Sequence, residues 1–244
     1  MAKISSVVLD ALSNCKVSDN LLFIKAQLDR KVYIGLNRVL GMLGGKWSRK
    51  KGAHVFASDP SDAIDSAIAT GEYVDIKKEL QFFPTPAKIV KLMLEKADIG
   101  DEDLVLEPSA GDGAIVDHIS NPERITCVEI YAPCAETLRL KGYKTVCCDF
   151  LKFGGERFDR IIMNPPFSKQ QDIDHVLHAF VHNLKEGGVL VSIVSESCFF
   201  RSNAKAVNFR AFLENENAEI IDLNSGDFKV SGTMVKTRII VLKK

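Results

Sequence analysis

The stretch Ile161-Ile162-Met163-Asn164-Pro165-Pro166-Phe167 carries the side chains with the greatest chemical consequence in this chain. Proline has no N–H for a sheet ladder, so two in succession end a strand at Asn164 and turn the chain out rigidly. The Asn164 amide oxygen and the Pro165 carbonyl are then held converging on one point. Two fixed acceptors suit a planar –NH2 group with two N–H bonds. Phe167 offers a flat face on which a heterocycle stacks. Upstream, Leu104-Val105-Leu106-Glu107-Pro108-Ser109-Ala110-Gly111-Asp112-Gly113-Ala114 reads as a buried strand entering a turn of small residues. Such a turn lets backbone approach a ligand at the carboxyl end of a strand. Gly111-x-Gly113 is followed by Ala114-Ile115-Val116, so the third glycine of G-x-G-x-x-G is absent, and there is no Walker loop. Glu107 and Asp112 bring carboxylates to the turn, which repel a pyrophosphate but suit an ammonium or sulfonium charge.

Two further acidic residues close candidate strands. Glu129 ends Cys127-Val128-Glu129-Ile130, about 20 residues after the glycine turn, where a carboxylate accepts both hydroxyls of a ribose. Asp149, in Cys148-Asp149-Phe150, is placed to bond an adenine amino group while an apolar neighbour covers the ring. His175, His178 and His182 share one helix at i, i+3 and i+7, with no acidic or Cys ligand at fixed spacing, and read as helix surface or packing. The six cysteines form no C-x-x-C pair and read as reduced thiols; no metal is expected.

These residues need a scaffold that gathers strand ends. From about Asp101 onward, β-rich runs alternate with helical stretches, the pattern of a doubly wound α/β domain. Strands are expected at Leu104–Leu106, Ile125–Ile130, Lys144–Cys148, Asp159–Met163, Val189–Val194, Ala218–Leu223 and Thr237–Leu242. Helices are expected at Ala114–His118, Ala132–Lys141, Asp172–Leu184 and Ala204–Leu213, with Lys185-Glu186-Gly187-Gly188 as a helix stop before a buried strand. The last two strands follow each other without a helix, which predicts an antiparallel C-terminal hairpin at the edge of a seven-stranded mixed sheet.

With these elements in order, the chain resembles the class I S-adenosylmethionine-dependent methyltransferases. Within them it is similar to the amino-methyltransferases, whose signature is Asp, Asn or Ser followed by Pro-Pro and an aromatic residue. Phe82-Phe83-Pro84-Thr85-Pro86, then Glu107–Gly113, then Asn164–Phe167 resembles the N6-adenine DNA methyltransferases with cofactor motifs ahead of the catalytic one. The resemblance covers Gln81 to Lys244 and implies a Rossmann-like domain over residues 81–244, with S-adenosyl-L-methionine as cofactor. It implies that Thr85 meets the carboxylate at the cofactor's methionine end, which Glu107, Ser109, Gly111 and Gly113 also line. Glu129 would hold the ribose with Ile130 against the adenine ring, and Asp149 and Phe150 would recognise the adenine. Asn164 and Pro165 would hold the target amine, Pro166 would stiffen the turn, and Phe167 would stack on the target base. Phe228 and the Gly232–Thr237 stretch resemble the family's last motif, a hairpin loop that helps enclose the base. Sequence-specific members carry a sizeable target-recognition domain, whereas about 60 residues separate Phe167 from Phe228. Sequence reading is therefore expected to be weak or short-site, or to fall to residues 1–80, to Phe199-Phe200-Arg201 or to a partner subunit.

Residues 1–80 read as a separate small basic module, helical or wing-like. Leu21–Leu28 and Tyr33–Leu43 have helical spacing, Gly44-Gly45 stops the second, and His54-Val55-Phe56 reads as a short strand. Between Arg30 and Phe56 stand seven Lys/Arg and no Asp/Glu, and the acidic Asp59–Glu79 segment cancels that charge. The run from Gly44 to Phe56 resembles a lead-in segment of methyltransferases in bacterial and mobile-element genomes. Lys46, Trp47, Arg49, Lys50 and Lys51 are candidates to grip a nucleic-acid backbone, with Lys169 as a second phosphate contact. Trp47 suits stacking on a base or anchoring the module's core equally well.

Across the chain 32 Lys+Arg balance 32 Asp+Glu, so any nucleic-acid signal is local. Apolar runs such as Val189–Val194 are too short for a bilayer and no secretion signal is read, which points to a cytoplasmic protein without a membrane partner. The expected activity is methylation of an exocyclic amine, foremost adenine N6 in DNA. A base amine in RNA or a glutamine in a protein is the alternative, because Asn-Pro-Pro-aromatic serves those groups too. A non-catalytic cofactor-binding or anti-restriction factor is the reading from another class; the intact Glu129, Asp149 and Asn164 count against it.

Overall fold

The computed structural model describes residues 2–56, 59–73, 83–224, 226–228 and 236–244. The chain forms two compact units, residues 1–82 and 83–244. In the first, β1 (Ala2–Lys3), α1 (Ser6–Ser13), β2 (Lys16–Ser18) and β3 (Leu21–Phe23) precede α2 (Arg30–Met42). Then come β4 (Lys46–Ser48), β5 (Ala53–Val55), α3 (Ser61–Thr70) and β6 (Glu72–Tyr73). Strands β2-β3-β5-β4 make an antiparallel sheet, and β1 pairs with β6. Leu12, Leu22, Leu36, Leu40, Phe56 and Ile64 are buried together as this unit's core. The expected Leu21–Leu28 helix is absent: Asp19 at φ 52° turns a β2–β3 hairpin, and Leu22 pairs with His54. Cross-strand pairing outweighs a helical spacing that is only two turns long.

The second unit is a seven-stranded sheet flanked by helices α4 (Ala87–Ala97), α5 (Ala132–Leu140), α6 (Gln171–His178), α7 (Ser197–Phe200) and α8 (Ala204–Asn215). Its strands are β7 (Val105–Pro108), β8 (Ile125–Glu129), β9 (Lys144–Cys147), β10 (Phe158–Met163), β11 (Leu184–Ser195), β12 (Glu219–Asp222) and β13 (Thr237–Lys243). Their order is β12-β13-β11-β10-β7-β8-β9. The five strands β9, β8, β7, β10 and β11 are parallel, and β13 lies antiparallel between β11 and β12. The last two strands form the expected antiparallel hairpin at the sheet edge, with β12 outermost and β13 joining it to β11. Every residue of β7 and β8 is buried, as a sheet covered on both faces requires. Alternation sends Leu106, Ile161 and Leu190 to one core, and Val105, Ile162 and Val191 to the other.

Two boundaries differ from expectation. The Asp172–Leu184 helix ends at His178 in one π-helical turn, Ala179–Asn183, and β11 starts at once with Leu184 paired to Phe158. The Gly187-Gly188 pair sits inside that strand, at a register shift, because Gly188 approaches the Lys185 carbonyl too closely for a side chain. In place of the Ala114–His118 helix there are turns and a short 3-10 segment, Val116–His118. From β7 the chain runs to β8 on one side, while β10 pairs on the other, so the carboxyl ends of β7 and β10 flank the switch point where open α/β sheets bind ligands.

Candidate functional site

The turn after β7 is held from several sides. Ser109, Gly111 and Gly113 have positive φ of 58°, 58° and 94°, and the Ala110 N–H reaches back to the Val128 carbonyl at 3.2 Å. Lys141, just past α5, donates at 2.5 Å to both the Asp112 carbonyl and the Asp117 carboxylate. A Cβ at Gly113 would sit 3.1 Å from Leu138 and 3.2 Å from Asp117 and Lys141.

Two buried carboxylates brace this turn. Glu107 accepts the Val116 N–H at 2.9 Å, and Glu129 accepts the Gly111 N–H at 2.8 Å and the Tyr131 N–H at 2.7 Å. Burial pushes the Glu107 carboxyl well above the usual range, with Asp117, Glu129 and Asp112 adding to it. Burial also raises Glu129, opposed in part by the N–H groups of Tyr131, Gly111 and Ile130. A pair of desolvated carboxylates at a glycine turn favours a cationic ligand and disfavours a phosphate. Next in the row, Ile130 is 58% exposed, and Asp149 caps a short turn by accepting the Leu151 N–H at 3.1 Å. An exposed apolar side chain flanked by carboxylates at the ends of β8 and β9 fits an adenosine whose ribose hydroxyls and amino group are donors.

Across the switch point, β10 ends at Met163 and Asn164 follows. Its Nδ2 donates to the Thr85 hydroxyl at 3.1 Å and to the Phe83 carbonyl at 3.3 Å. The Phe83–Pro86 stretch and the Asn164–Phe167 corner, some 80 residues apart in sequence, are therefore one structure. Pro165 is buried, and Pro166 and Phe167 are half-buried, Phe167 lying against the core of Ile89, Leu223 and Phe228. Lys169 and Gln170 follow at φ 53° and 60°, two successive non-glycine residues in the left-handed region. Gln170 is buried; its Oε1 accepts from Asn203 at 2.6 Å.

No protein-family model matches the sequence, and no curated protein matches it. Solved structures do match. A type I restriction-modification system methyltransferase subunit from Streptococcus thermophilus aligns with a TM-score of 0.54 at 20% identity, over 76% of this chain and 53% of that one. A dimethyladenosine transferase from Plasmodium falciparum gives 0.50 at 15% identity, over 66% and 62%. A protein assigned to the class I S-adenosylmethionine-dependent methyltransferases, from Listeria monocytogenes, gives 0.50 at 14%, over 74% and 68%. The chain has the class I methyltransferase fold. It spans about half the length of the restriction-system subunit.

Within the methyltransferase fold, Thr85, Glu107, Ser109, Gly111, Gly113, Glu129, Ile130, Asp149 and Asn164 all lie at or beside the carboxyl ends of β7 to β10, or bond to residues there. Two aromatic expectations need correction. The Phe150 ring is packed inside the core among Phe153, His175 and His178 rather than open to a ligand. Phe228 is buried in the second core instead of meeting solvent. Phe82 and the Gly232–Val235 part of the last motif lie outside the described residues. In the first unit, Lys46, Trp47, Arg49, Lys50 and Lys51 are all exposed on the β4–β5 hairpin, and Trp47, 51% exposed, leans on His54 at 5.2 Å between ring centres. That placement answers the Trp47 alternative in favour of the surface. Lys169 is exposed as well.

Sequence reasoning missed three contributors. His175 is buried with Nδ1 3.3 Å from the Ser109 hydroxyl, and burial pulls it down to about 4, so it is a neutral partner of the glycine turn. Asp172 is fully buried and accepts the Ser195 N–H at 2.8 Å and the Cys198 thiol at 3.2 Å, tying α6 to the end of β11. Arg238 clamps Glu196 with two 2.8 Å bonds and lies over the Phe199 ring at 4.4 Å. Only the i, i+3, i+7 histidines left a trace in the sequence. Among the described residues, no group of three His, Cys, Asp or Glu is gathered as for a metal. A separate cleft, lined by Ile99, Gly100, Asp103, His118, Asn121 and Arg124, contains none of these site residues.

Proposed function

We propose that this chain is an S-adenosylmethionine-dependent methyltransferase that modifies an exocyclic amine, adenine N6 in DNA, with low or short-site specificity. The observation that carries the reading is the orientation of Asn164. Both amide protons are turned to Thr85 and Phe83, which leaves Oδ1 as the acceptor offered at the corner. With the carbonyl of Pro165 next in the chain, the corner would accept two hydrogen bonds from one –NH2.

When bound, the cofactor supplies a methyl group made electrophilic by its sulfonium. Glu129 would accept from the ribose hydroxyls, Asp149 from the adenine amine, and Glu107 would lie toward the cationic end. An exocyclic amine is a poor nucleophile because its lone pair is delocalised into the ring. Hydrogen bonds to Asn164 and Pro165 favour a more tetrahedral nitrogen and stabilise positive charge as it develops there. The same two oxygens would position the amine toward the cofactor's methyl group, the N–C bond forming as the S–C bond breaks, with the neutral thioether leaving and the nitrogen's surplus proton passing to solvent; positioning supplies much of the acceleration. In a duplex the base must leave the stack to reach Phe167. The exposed hairpin cations Lys46, Arg49, Lys50 and Lys51, with Lys169, supply the phosphate contacts.

The test is incubation of the full chain with labelled cofactor and DNA, RNA or a protein extract, followed by mass analysis of nucleosides and amino acids. N6-methyladenine in DNA is the expected product, and label confined to RNA or to protein glutamine overturns it. Asn164→Ala should lower turnover by about a hundredfold or more while cofactor affinity changes little.

A further inference from the structure

We infer that α2 is a duplex-reading helix, and that the first unit presses it into the major groove of DNA with the β4–β5 hairpin on the neighbouring phosphates. This rests on the DNA reading of the preceding subsection and adds where sequence would be read. Helix periodicity separates two faces of α2. Leu36, Val39 and Leu40 are buried in the unit's core. Arg30, Lys31, Tyr33, Ile34 and Arg38 are exposed on the other side, with Ile34 58% and Tyr33 38% accessible. That face carries cations and apolar groups, the exposed Asp29 at its start being engaged as N-cap with the Lys31 N–H at 2.8 Å, and the run from Arg30 to Phe56 contains seven Lys/Arg without one Asp/Glu. Positive charge with uncovered Ile and Tyr on a helix is the chemistry of a groove surface, where Arg pairs with guanine and an aliphatic group meets a thymine methyl. Lipid or an acidic protein would use the charge but gives no role to a helix rigidly registered to a basic hairpin.

Such a register is built in. Gly35 lets α2 close on α1, since a Cβ there would stand 2.8 Å from Val8. At the other end Gly44 takes φ 95°, the Gly45 N–H bonds the Leu40 carbonyl at 2.8 Å, and a Cβ on Gly45 would strike Phe56 at 2.6 Å. The chain then enters β4 at Lys46 without slack, and the exposed Arg49, Lys50 and Lys51 form the turn of the hairpin. Helix and hairpin are thus joined by a tight, sterically fixed turn, which suits a helix in a groove whose orientation phosphate contacts fix.

The test selects bound duplexes from a random-sequence library with the full chain, alongside salt titrations of affinity. The wild type should enrich a short motif. Arg38→Ala and Ile34→Ala should each relax the preference at one position by about tenfold. Arg38→Lys should keep general affinity yet fail to restore the preference, since an ammonium lacks the bidentate fork. Lys50→Ala should weaken all duplexes alike and reduce the salt slope by about one. An unchanged motif in Arg38→Ala and Ile34→Ala, no motif in the wild type, or stronger competition by single-stranded RNA than by duplex overturns the inference. The readout is binding, so its failure is separable from that of the methylation reading. Methylation by Arg38→Ala confined to the wild-type sites, with no added sites differing at the relaxed position, would sink this inference alone. Helix-dependent duplex selection without N6-methyladenine would sink the other alone.

Discussion

Asn164 is oriented by groups that lie outside its own motif. Because Nδ2 faces the Phe83 carbonyl and the Thr85 hydroxyl, a carboxylate at this position would meet a carbonyl oxygen instead of donating to it. Asn164→Asp is therefore expected to cost at least about tenfold in kcat in this chain, measurable by single-turnover kinetics, although the amino-methyltransferase signature tolerates aspartate. His175 carries a second residue-scale prediction. Burial holds its folded pKa at about 4, so the unfolded chain binds the extra proton first as pH falls. The stabilisation is complete above the ordinary histidine value of about 6.5 and is lost as pH drops from there toward 4. A series of thermal melts should show that decline, and His175→Gln should flatten it. The corner motif was legible in the sequence because prolines dictate backbone. The partners of Asn164 and of Ser109 were not, because hydrogen bonds between segments far apart leave no spacing to read.

At the scale of elements, the turn after β7 owes its shape to strain and crowding together. Gly113 and Gly142 share nearly the same φ, 94° and 93°, but a Cβ meets neighbours at 3.1–3.2 Å in the first and nothing within 4 Å in the second. Gly142→Ala should cost about 1–2 kcal/mol from strain alone. Gly113→Ala should cost more, and the difference between the two urea midpoints measures the crowding. Only Gly113→Ala should also weaken cofactor binding. The parallel strands were legible because each is a short apolar run buried on both faces. The Leu21–Leu28 segment was misread because its spacing satisfies either period, and pairing of Leu22 with His54 decides the matter. The Lys46–Ser48 strand was likewise hidden under its charges.

For the whole molecule, each unit has its own buried core, Leu22 belonging to one and Ile161 to the other. Truncating either to Ala removes a fully buried side chain and should cost about 2–5 kcal/mol. Calorimetry of the full chain should therefore show Leu22→Ala lowering mainly the melting of the first unit and Ile161→Ala mainly that of the second. A single transition moved equally by both would show that the two units unfold as one.

Local chemistry, written in neighbouring residues, was settled by the sequence: prolines that end a strand, glycines that free a turn, carboxylates at strand ends and a stretch of unopposed cations. Tertiary structure alone decided that β13 enters the sheet between β11 and β12, that Phe150 and Phe228 turn inward, and that Thr85 fixes the amide of Asn164. The reason is physical. Backbone preference acts over a few residues, whereas burial and hydrogen bonding are resolved only when distant segments compete for the same space.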